Sequence, residues 1–382
     1  MSRANFDLFE ADLSASLSNL QTNDAPCVDN AATTHPELGA ELWAYVPYNL
    51  LPHLYWQTEN NYGGNYHVYY VDQKPRVFDA QIFKAESVCA SDPKGAACVH
   101  PDGWGTLMVV GMRLGGASTH ADLNKTDGKA IAASDPEMRS AFILLDITNP
   151  EAPPTLLGEI AMPKMGFSTS FPTMLVLKDG NGDGTYGPYD SANPTSGENR
   201  WFLAFGSGPA DVEGSPDRKL LTQVKSEQRG NFYLVDMVKL SLENELWSLT
   251  TDANGTSGVL TRGLHPYLTL SGADEGNSFI SNPTSVDFNL DYNTDVVYYG
   301  TVSGSAPGGI GTNGWGGKLR RIVVENKPDP KNWIADSILY NAGQPITVTP
   351  VTAIDSKKRN WIFFGTGRTC MGRRKRNPQP LQ

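Results

Sequence analysis

The sequence predicts an all-β protein, a β-propeller with long inserts between its strands, and three observations carry that expectation. First, Asp287-Phe288-Asn289-Leu290-Asp291-Tyr292-Asn293-Thr294-Asp295 sets oxygen-bearing side chains at every second position. It runs straight into Val296-Val297-Tyr298-Tyr299-Gly300, a β-branched and aromatic run that reads as a strand and not as the exit helix of an EF-hand. Second, apolar runs that end in glycine recur, at Gly111, Gly206, Gly300 and Gly365. Third, 38 glycines and 26 prolines in 382 residues suit many short strands joined by turns.

Each glycine run belongs to a larger unit. The first two are followed by a run ending in aspartate, 141–146 and 231–236, and the third by 318–324. A proline-led strand precedes the last three, opened by Pro172, Pro283 and Pro350. Proline suits the first residue of a strand, where no ladder donor is missed. Glycine lets the backbone turn or pack closely where the strand ends. Repeated units of three or four short antiparallel strands are what a propeller blade is made of; a β-sandwich would need shorter and more regular spacing.

The propeller is expected over 41–370, closed or as a fragment of the seven-bladed type. Within its first part, 41–47, 66–72 and 76–80 read as strands and 49–54 as a turn or helical turn. Residues 1–40 are poorly patterned, with Phe9, Leu13, Leu17 and Leu20 marking one short amphipathic helix. Residues 371–382, with Arg373-Arg374-Lys375-Arg376, read as a disordered basic tail.

The loop inside each unit carries the chemistry. A hard cation such as Ca²⁺ takes about 6–8 oxygens, which alternate carboxylates and carbonyls supply. Asp287, Asn289, Asp291, Asn293 and Asp295 offer that series. In the unit led by Pro172 the same slot holds a loop with Asp179, Asn181 and Asp183 at positions 1, 3 and 5, glycine at 6, Thr185 at 7 and Asp190 at 12. That is the EF-hand loop pattern with Asp in place of the final Glu. In the unit led by Pro350, Lys357, Lys358 and Arg359 stand where ligands would be, so Asp355 to Asn360 reads as a plain turn. Either acidic loop taken alone is equally an Asx- and Gly-rich turn that binds nothing; two in equivalent slots favour binding.

Other features bound the function. A net charge of −10 argues against a nucleic-acid surface, which needs a basic stripe. No apolar run approaches the ~20 residues that cross a bilayer. Charged residues make up only 19%, low for a cytosolic protein. Met1 to Phe6 lacks the apolar core of a signal peptide, so the expectation is a piece of a longer exported protein. Cys89 and Cys98 bracket a small polar loop, either a local disulfide of an oxidising compartment or two thiols; Cys27 and Cys370 stay unassigned. The six histidines are scattered without ligand spacing, no G-x-S-x-G elbow occurs, and Gly-Ser-Gly at 206–208 and Gly-Thr-Gly at 365–367 lack the G-x-G-x-x-G pattern. Nothing here reads as an enzyme.

The segment from Glu41 to Leu54, the run 66–72, the strand at Gly111 leading to 142–146, the acidic loop before Tyr299-Gly300, and Phe364-Gly365-Thr366-Gly367 together resemble the C-terminal β-propeller of PilY-type (neisserial PilC-like) type IV pilus biogenesis and tip-adhesin proteins. The resemblance spans about 41–370. It implies an exported protein at the pilus tip or outer membrane, with pilin or minor pilins and a host or surface receptor as partners. It also implies that Ca²⁺ tunes pilus extension against retraction and adhesion. The family's loop ligands carry over onto Asp287, Asn289, Asp291 and Asp295, and onto Asn293 through its main-chain carbonyl; the Asp179 loop is extra to the pattern. Two other classes stay open. A quinone-cofactor (PQQ-type) propeller dehydrogenase would need a cofactor-stacking tryptophan and a channel-facing carboxylate, neither of which the sequence identifies. A secreted glycan- or matrix-binding propeller is the other.

Overall fold

The runs ending in glycine become the second strands of four successive antiparallel sheets. The computed structural model of the chain describes residues 43–367 apart from 61, 63–66, 93–94, 96, 122–134, 151, 163, 178–198, 217–224, 252–255, 305–313, 326 and 328–329. The first sheet contains β1 (Arg76–Gln81), β2 (Trp104–Gly111), β5 (Phe142–Asp146) and β6 (Thr155–Ile160), in that order, with the small hairpin β3 (Thr119–His120) and β4 (Glu137–Met138) between β2 and β5. The second runs β7 (Thr173–Leu177), β8 (Arg200–Gly206), β9 (Asn231–Asp236), β10 (Trp247–Thr250) and β11 (Val259–Arg262), and β12 (Pro266–Thr269) also pairs with β9. In the third, β14 (Thr284–Val286), β15 (Val296–Gly304), β17 (Lys318–Val323) and β18 (Ile334–Asn341) follow one another, with β13 (Ser278–Ile280) and β16 (Trp315–Gly316) pairing farther along β15. A last hairpin joins β19 (Val351–Ile354) to β20 (Asn360–Phe363). The fold is all-β and propeller-like: consecutive up-and-down sheets, the first packed on the second and the second on the third.

One register repeats in all four. The residue after the proline lies opposite the residue two before the glycine: Arg76 with Val109, Thr173 with Ala204, Thr284 with Tyr298, Val351 with Phe363. The first sheet therefore has its leading proline too, Pro75, which the sequence reading places in a turn.

Because side chains alternate along a strand, each sheet has two faces with different neighbours. Leu107 and Val109 of the first sheet share a core with Met174, Leu203, Phe205 and Tyr233 of the second. Leu175, Phe202 and Ala204 of the second sheet face Val297, Tyr299 and Ile322 of the third in a second core. Positions two and four before the glycine thus face the following sheet, and positions one and three before it face the preceding one. Aromatic rings meet across both seams, Phe142 with Phe205 at 4.7 Å and Phe232 with Tyr299 at 4.9 Å between centroids.

At the glycines the lead-in to the following sheet crosses in close contact. A β-carbon on Gly206 would stand 2.3 Å from Cβ of Ile280, and one on Gly300 2.4 Å from Cγ2 of Ile346. On Gly111 it would meet Gln73 Oε1 at 2.5 Å and the Ser168 carbonyl at 2.8 Å.

Several sequence expectations need correction. Among the described residues 43–47 only Ala44 makes a bridge, and residues 67–72 form no strand. Trp43 and Tyr45 instead lay their rings on the first sheet, while the backbone N–H groups of Tyr48 and Asn49 donate to the Glu159 carboxylate at 2.7 and 3.1 Å. Tyr70 lies so close to Gly115 that a β-carbon there would stand 1.8 Å from the Tyr70 carbonyl oxygen, so this stretch covers the sheet rather than extending it. Tyr48–Thr58 is a 3-10 helix, in keeping with the helical turn expected at 49–54. Strand β20 stops at Phe363, two residues short of Gly365. The fourth strands β6, β10 and β18 carry no sequence signal, because half-solvated strands such as β6 and β18 have no unbroken apolar run. Cys89 and Cys98 form a disulfide with 4.9 Å between their Cα atoms. Residues 1–40, Cys27, Cys370 and the basic tail lie outside the described residues. Among the described residues no helix is long and apolar enough to cross a membrane.

The close crossing predicts that Gly206→Ala lowers stability by about 1–3 kcal/mol through overpacking, read as a fall in the denaturant midpoint. Gly158→Ala on β6, where the added methyl meets nothing within 4 Å, is expected to leave the midpoint unchanged or raise it slightly.

Candidate metal site

The connection from β14 to β15 is the acidic loop, and it is irregular rather than helical. Its base is fixed by backbone. The N–H of Asp295 donates to the Val286 carbonyl at 2.9 Å, and the Asp295 carbonyl accepts the N–H groups of Val324 and Glu325 at 2.8 and 2.9 Å. Thr294, buried, reaches the neighbouring sheet. Its N–H donates to the Val176 carbonyl at 2.9 Å and its hydroxyl accepts the Val176 N–H at 3.1 Å. The loop is therefore tied to both strands of its own hairpin, to the residue after β17 and to β7.

Above that base the loop curls around its own carboxylates. Asp287 accepts the Leu290 N–H at 2.7 Å and the Tyr292 N–H at 2.8 Å, one on each oxygen. Leu290 and Tyr292 take left-handed φ values of 59° and 68°, a conformation uncommon outside glycine, and these two bonds hold them there. Asn289 Oδ1 accepts the Asp291 N–H at 3.2 Å, Asp291 Oδ1 the Asn293 N–H at 2.8 Å, and Asp295 Oδ2 the Phe288 N–H at 2.7 Å. The Asn289 amide donates to Asp291 Oδ2 at 3.0 Å.

The donor chemistry fits a hard cation, since every donor is an oxygen. A carboxylate oxygen in one hydrogen bond also keeps a second lone pair for a metal. Among the described residues no three His, Cys, Asp or Glu side chains are gathered as a metal cluster, so Asp287, Asp291 and Asp295 are not brought together as a three-carboxylate set. None of the ion pairs among the described residues involves Asp287, Asp291 or Asp295.

The second expected loop, with Asp179, Asn181, Asp183, Thr185 and Asp190, lies outside the described residues. Its entry is nevertheless placed: Val176, which Thr294 holds, stands on β7 just before it. The third slot is a turn closed on Asp355. That carboxylate accepts the N–H groups of Lys357 and Arg359, both at 2.9 Å, and the Trp361 indole N–H at 3.1 Å. The Arg359 backbone bond, first among these contacts, brings its pKa down to about 2.

Two charged constellations gave no sequence signal, because their members are far apart in the chain. In the third sheet Glu275, fully buried, accepts Lys318 Nζ at 3.0 Å and an Arg320 guanidinium nitrogen at 2.8 Å on one oxygen. Arg320 also pairs with Asp336, Lys318 with Asp274, and the Tyr299 hydroxyl donates to Asp336 at 2.8 Å. Burial, reinforced by Asp336, holds the Tyr299 hydroxyl well above its ordinary pKa. On the first sheet His100 bridges two carboxylates, Asp146 at 2.9 Å and Glu86 at 3.5 Å, with its ring stacked 4.2 Å over Phe83. Glu86 also accepts the Val99 N–H at 2.8 Å, so the clip fastens the disulfide loop to β5. Burial alone would lower the His100 pKa; the Asp146 and Glu86 carboxylates outweigh it and raise it.

No family model matches the chain, and no curated protein matches it. Among solved structures, the crystal structure of the Pseudomonas aeruginosa PilY1 C-terminal domain is similar, at 18% identity and a TM-score of 0.42, over 86% of this chain and 49% of that one. The chain spans about half the length of that structure.

His100 sets a pH dependence for the clip. A histidine whose pKa is raised on folding stabilises the fold fully below its unfolded value near 6.5 and loses that contribution as pH rises through the higher folded value. Amide exchange in residues 87–100 is therefore expected to speed up above about pH 7 beyond the intrinsic base-catalysed increase. In His100→Gln this extra, pH-dependent component disappears.

Proposed function

We propose that this chain is a calcium-binding, non-enzymatic module of a type IV pilus assembly and adhesion factor, acting at the extracellular surface or pilus tip and tuning pilus extension against retraction. The observation that carries the proposal is the loop at 287–295, an all-oxygen donor series closed on its own carboxylates and tied to two sheets. The resemblance of 41–54, the Gly111 strand and the acidic loop to PilY-type propellers supports the same reading. Asp287, Asn289, Asp291 and Asp295, with the Asn293 carbonyl, are the residues that would hold Ca²⁺, and the loop with Asp179, Asn181, Asp183, Thr185 and Asp190 is proposed as a second site. Bound Ca²⁺ offsets the repulsion among the carboxylates. An ion that binds only the ordered loop stabilises it by mass action. Leu290 and Tyr292, 79% and 71% exposed at the tip, are then presented in one conformation to pilin, a minor pilin or a surface receptor.

A second reading, a secreted glycan- or matrix-binding propeller, is favoured by the exposed rings of Tyr48, Tyr55 and Trp56 on the 3-10 helix, since flat aromatic faces suit sugar rings.

Calorimetry with Ca²⁺ is expected to give a binding isotherm with the native chain that weakens at least tenfold in Asp291→Ala. Equal heats from the two proteins, or none from either, would remove the calcium claim. Pull-down on immobilised pilin with and without Ca²⁺, beside a glycan array, separates the two readings: calcium-dependent pilin capture supports the first, and glycan capture alone supports the second.

A further inference from the structure

The connection from β1 to β2 is closed by a disulfide and an ion pair that meet at one carboxylate. Cys89, on the short helix Ser87–Ser91, is joined to Cys98 nine positions on, and Val99 and His100 follow directly. Glu86 stands at the other foot of the loop. Its Oε2 lies 3.8 Å from Cys89 Sγ and accepts the Val99 N–H at 2.8 Å. Its Oε1 meets His100 Nδ1 at 3.5 Å. The backbone bonds of the loop are short turns: Cys89 N–H on the Glu86 carbonyl at 3.0 Å, Gly95 on Asp92 at 3.2 Å, Cys98 on Gly95 at 2.9 Å. Closure across the loop therefore comes from the disulfide and from Glu86. The sulfur–sulfur bond returns Val99 and His100 to the carboxylate.

The charged groups that face the His100 ring are Glu86, just before the helix, and Asp146, at the end of β5. One face of the ring stacks on Phe83. The two carboxylates are held by different means. Asp146 Oδ1 accepts the Thr148 N–H at 3.0 Å and the Thr148 hydroxyl at 2.5 Å, and Thr148 Oγ1 accepts the Thr106 N–H of β2 at 2.9 Å. Asp146 therefore belongs to the sheet and keeps its place whatever the loop does. Glu86 belongs to the loop, and the disulfide sets it against His100. Of the two carboxylates that favour the protonated ring, one depends on the bond between the sulfurs.

We propose that the Cys89–Cys98 disulfide and the proton on His100 form one linked latch, in which protonation of His100 protects the disulfide against reduction and reduction loosens the proton. The two effects are reciprocal, since each is the same coupling between two sites. The reductant is a dithiol. One of its thiolates attacks Cys98 Sγ, the more exposed sulfur; the S–S bond breaks, and Cys89 departs with the electron pair and takes up a proton. The second thiol of the reagent then displaces Cys98, which is protonated in turn, and the reagent leaves as its cyclic disulfide. The protein gains two electrons and two protons. Val99 and His100 are then free to leave Glu86, while the ring keeps Asp146. The proposal does not depend on calcium or on the pilus reading.

Equilibration of the full chain with dithiothreitol and its cyclic disulfide tests it, from about pH 5 to about pH 8. The chain carries Cys27→Ser and Cys370→Ser, so that a single pair exchanges. Below the thiol range near about 8.5 the exchange conserves protons apart from any linked group. The otherwise native chain is expected to become at least about threefold easier to reduce across that range, and His100→Gln is expected to give a constant that does not change with pH. By NMR, the His100 ring, identified as the signal lost in His100→Gln, is expected to hold its proton at least about threefold more weakly in the reduced chain than in the oxidised one. Glu86→Gln keeps an acceptor for Val99 but no charge, and is expected to erase that difference while the disulfide still forms. Amide protection of β2 and β5 is expected to survive reduction, because the latch is local. Four results would overturn the proposal: the same His100 titration in both redox states, a flat constant in the otherwise native chain, an equal pH dependence in His100→Gln, or loss of the whole fold on reduction. If Glu86→Gln fails to fold, the comparison with His100→Gln decides alone.

Discussion

The distance of closest approach at Gly111, Gly206 and Gly300 governs the rest of the structure. At each of them the lead-in to a neighbouring strand passes closer than van der Waals contact with what would be a methyl group. That passage sets how near one sheet comes to the next, and so which faces meet. The crossing is also where backbone polar groups leave water, and they need partners. The residue two before each leading proline provides them. Gln73 Oε1 accepts the Gly111 N–H at 2.9 Å, Ser170 Oγ accepts the Gly206 N–H at 3.0 Å, and Ser281 Oγ donates to the Gly300 carbonyl at 3.1 Å. The same side chains link sheet to sheet: the Gln73 amide donates to the Ser170 carbonyl at 3.0 Å, and Ser170 Oγ donates to the Ser281 carbonyl at 3.1 Å. A polar thread therefore runs through the stack beside the apolar seams. Larger apolar residues at 170 and 281 would fill the passage and orphan the backbone groups together.

This arrangement separates the two rims. First and second strands are antiparallel, so the proline that opens one and the glycine that closes the other share a rim. The turn joining them lies on the opposite rim. The inserts between second and third strands therefore gather on the glycine rim, where they carry β3, β4 and β16. The acidic loop, the end of β7 and the Asp355 turn all lie on the other. Slots that join first to second strands thus share one rim for a topological reason. Thr294 shows how closely two of these slots adjoin, since it is bonded to the residue one before the end of β7.

The strands that could be read from the chain were those buried on both faces. β5 and β9 are buried at every position, so the glycine runs and their third strands stand out as unbroken apolar stretches. β18 alternates poorly and is half exposed, so it reads as nothing in particular. Residues 67–72 misled for the opposite reason: Val68, Tyr69, Tyr70 and Val71 have strand propensity, but here they serve as a cover. The acidic loop was legible because its ligand-type residues are contiguous. Its anchor, Thr294, was not, because an ordinary threonine acquires its role only from Val176, 118 positions earlier in the chain. Glu275 and Arg320, or Glu86, His100 and Asp146, were hidden likewise, each partner unremarkable until the sheets bring it to the others.

The buried ions of the third sheet bear on the acidic loop through register. Removing one partner of a buried ion pair costs about 3–5 kcal/mol, whereas an apolar replacement of the whole set is often neutral, so such a set is a poor source of stability. It does discriminate between alignments. Arg320 lies opposite Tyr299 on β15, on the face turned to the second sheet, where Glu275 and Asp336 meet it. A slip of β17 by one residue would turn Arg320 to the other face and leave Glu275 buried without its partners. The alignment that pairs Arg320 with Glu275 is the same one that sets the N–H groups of Val324 and Glu325 on the Asp295 carbonyl. The ionic set near the glycine rim thereby fixes the base of the acidic loop on the far rim, through a single strand and with no side chain passing between them.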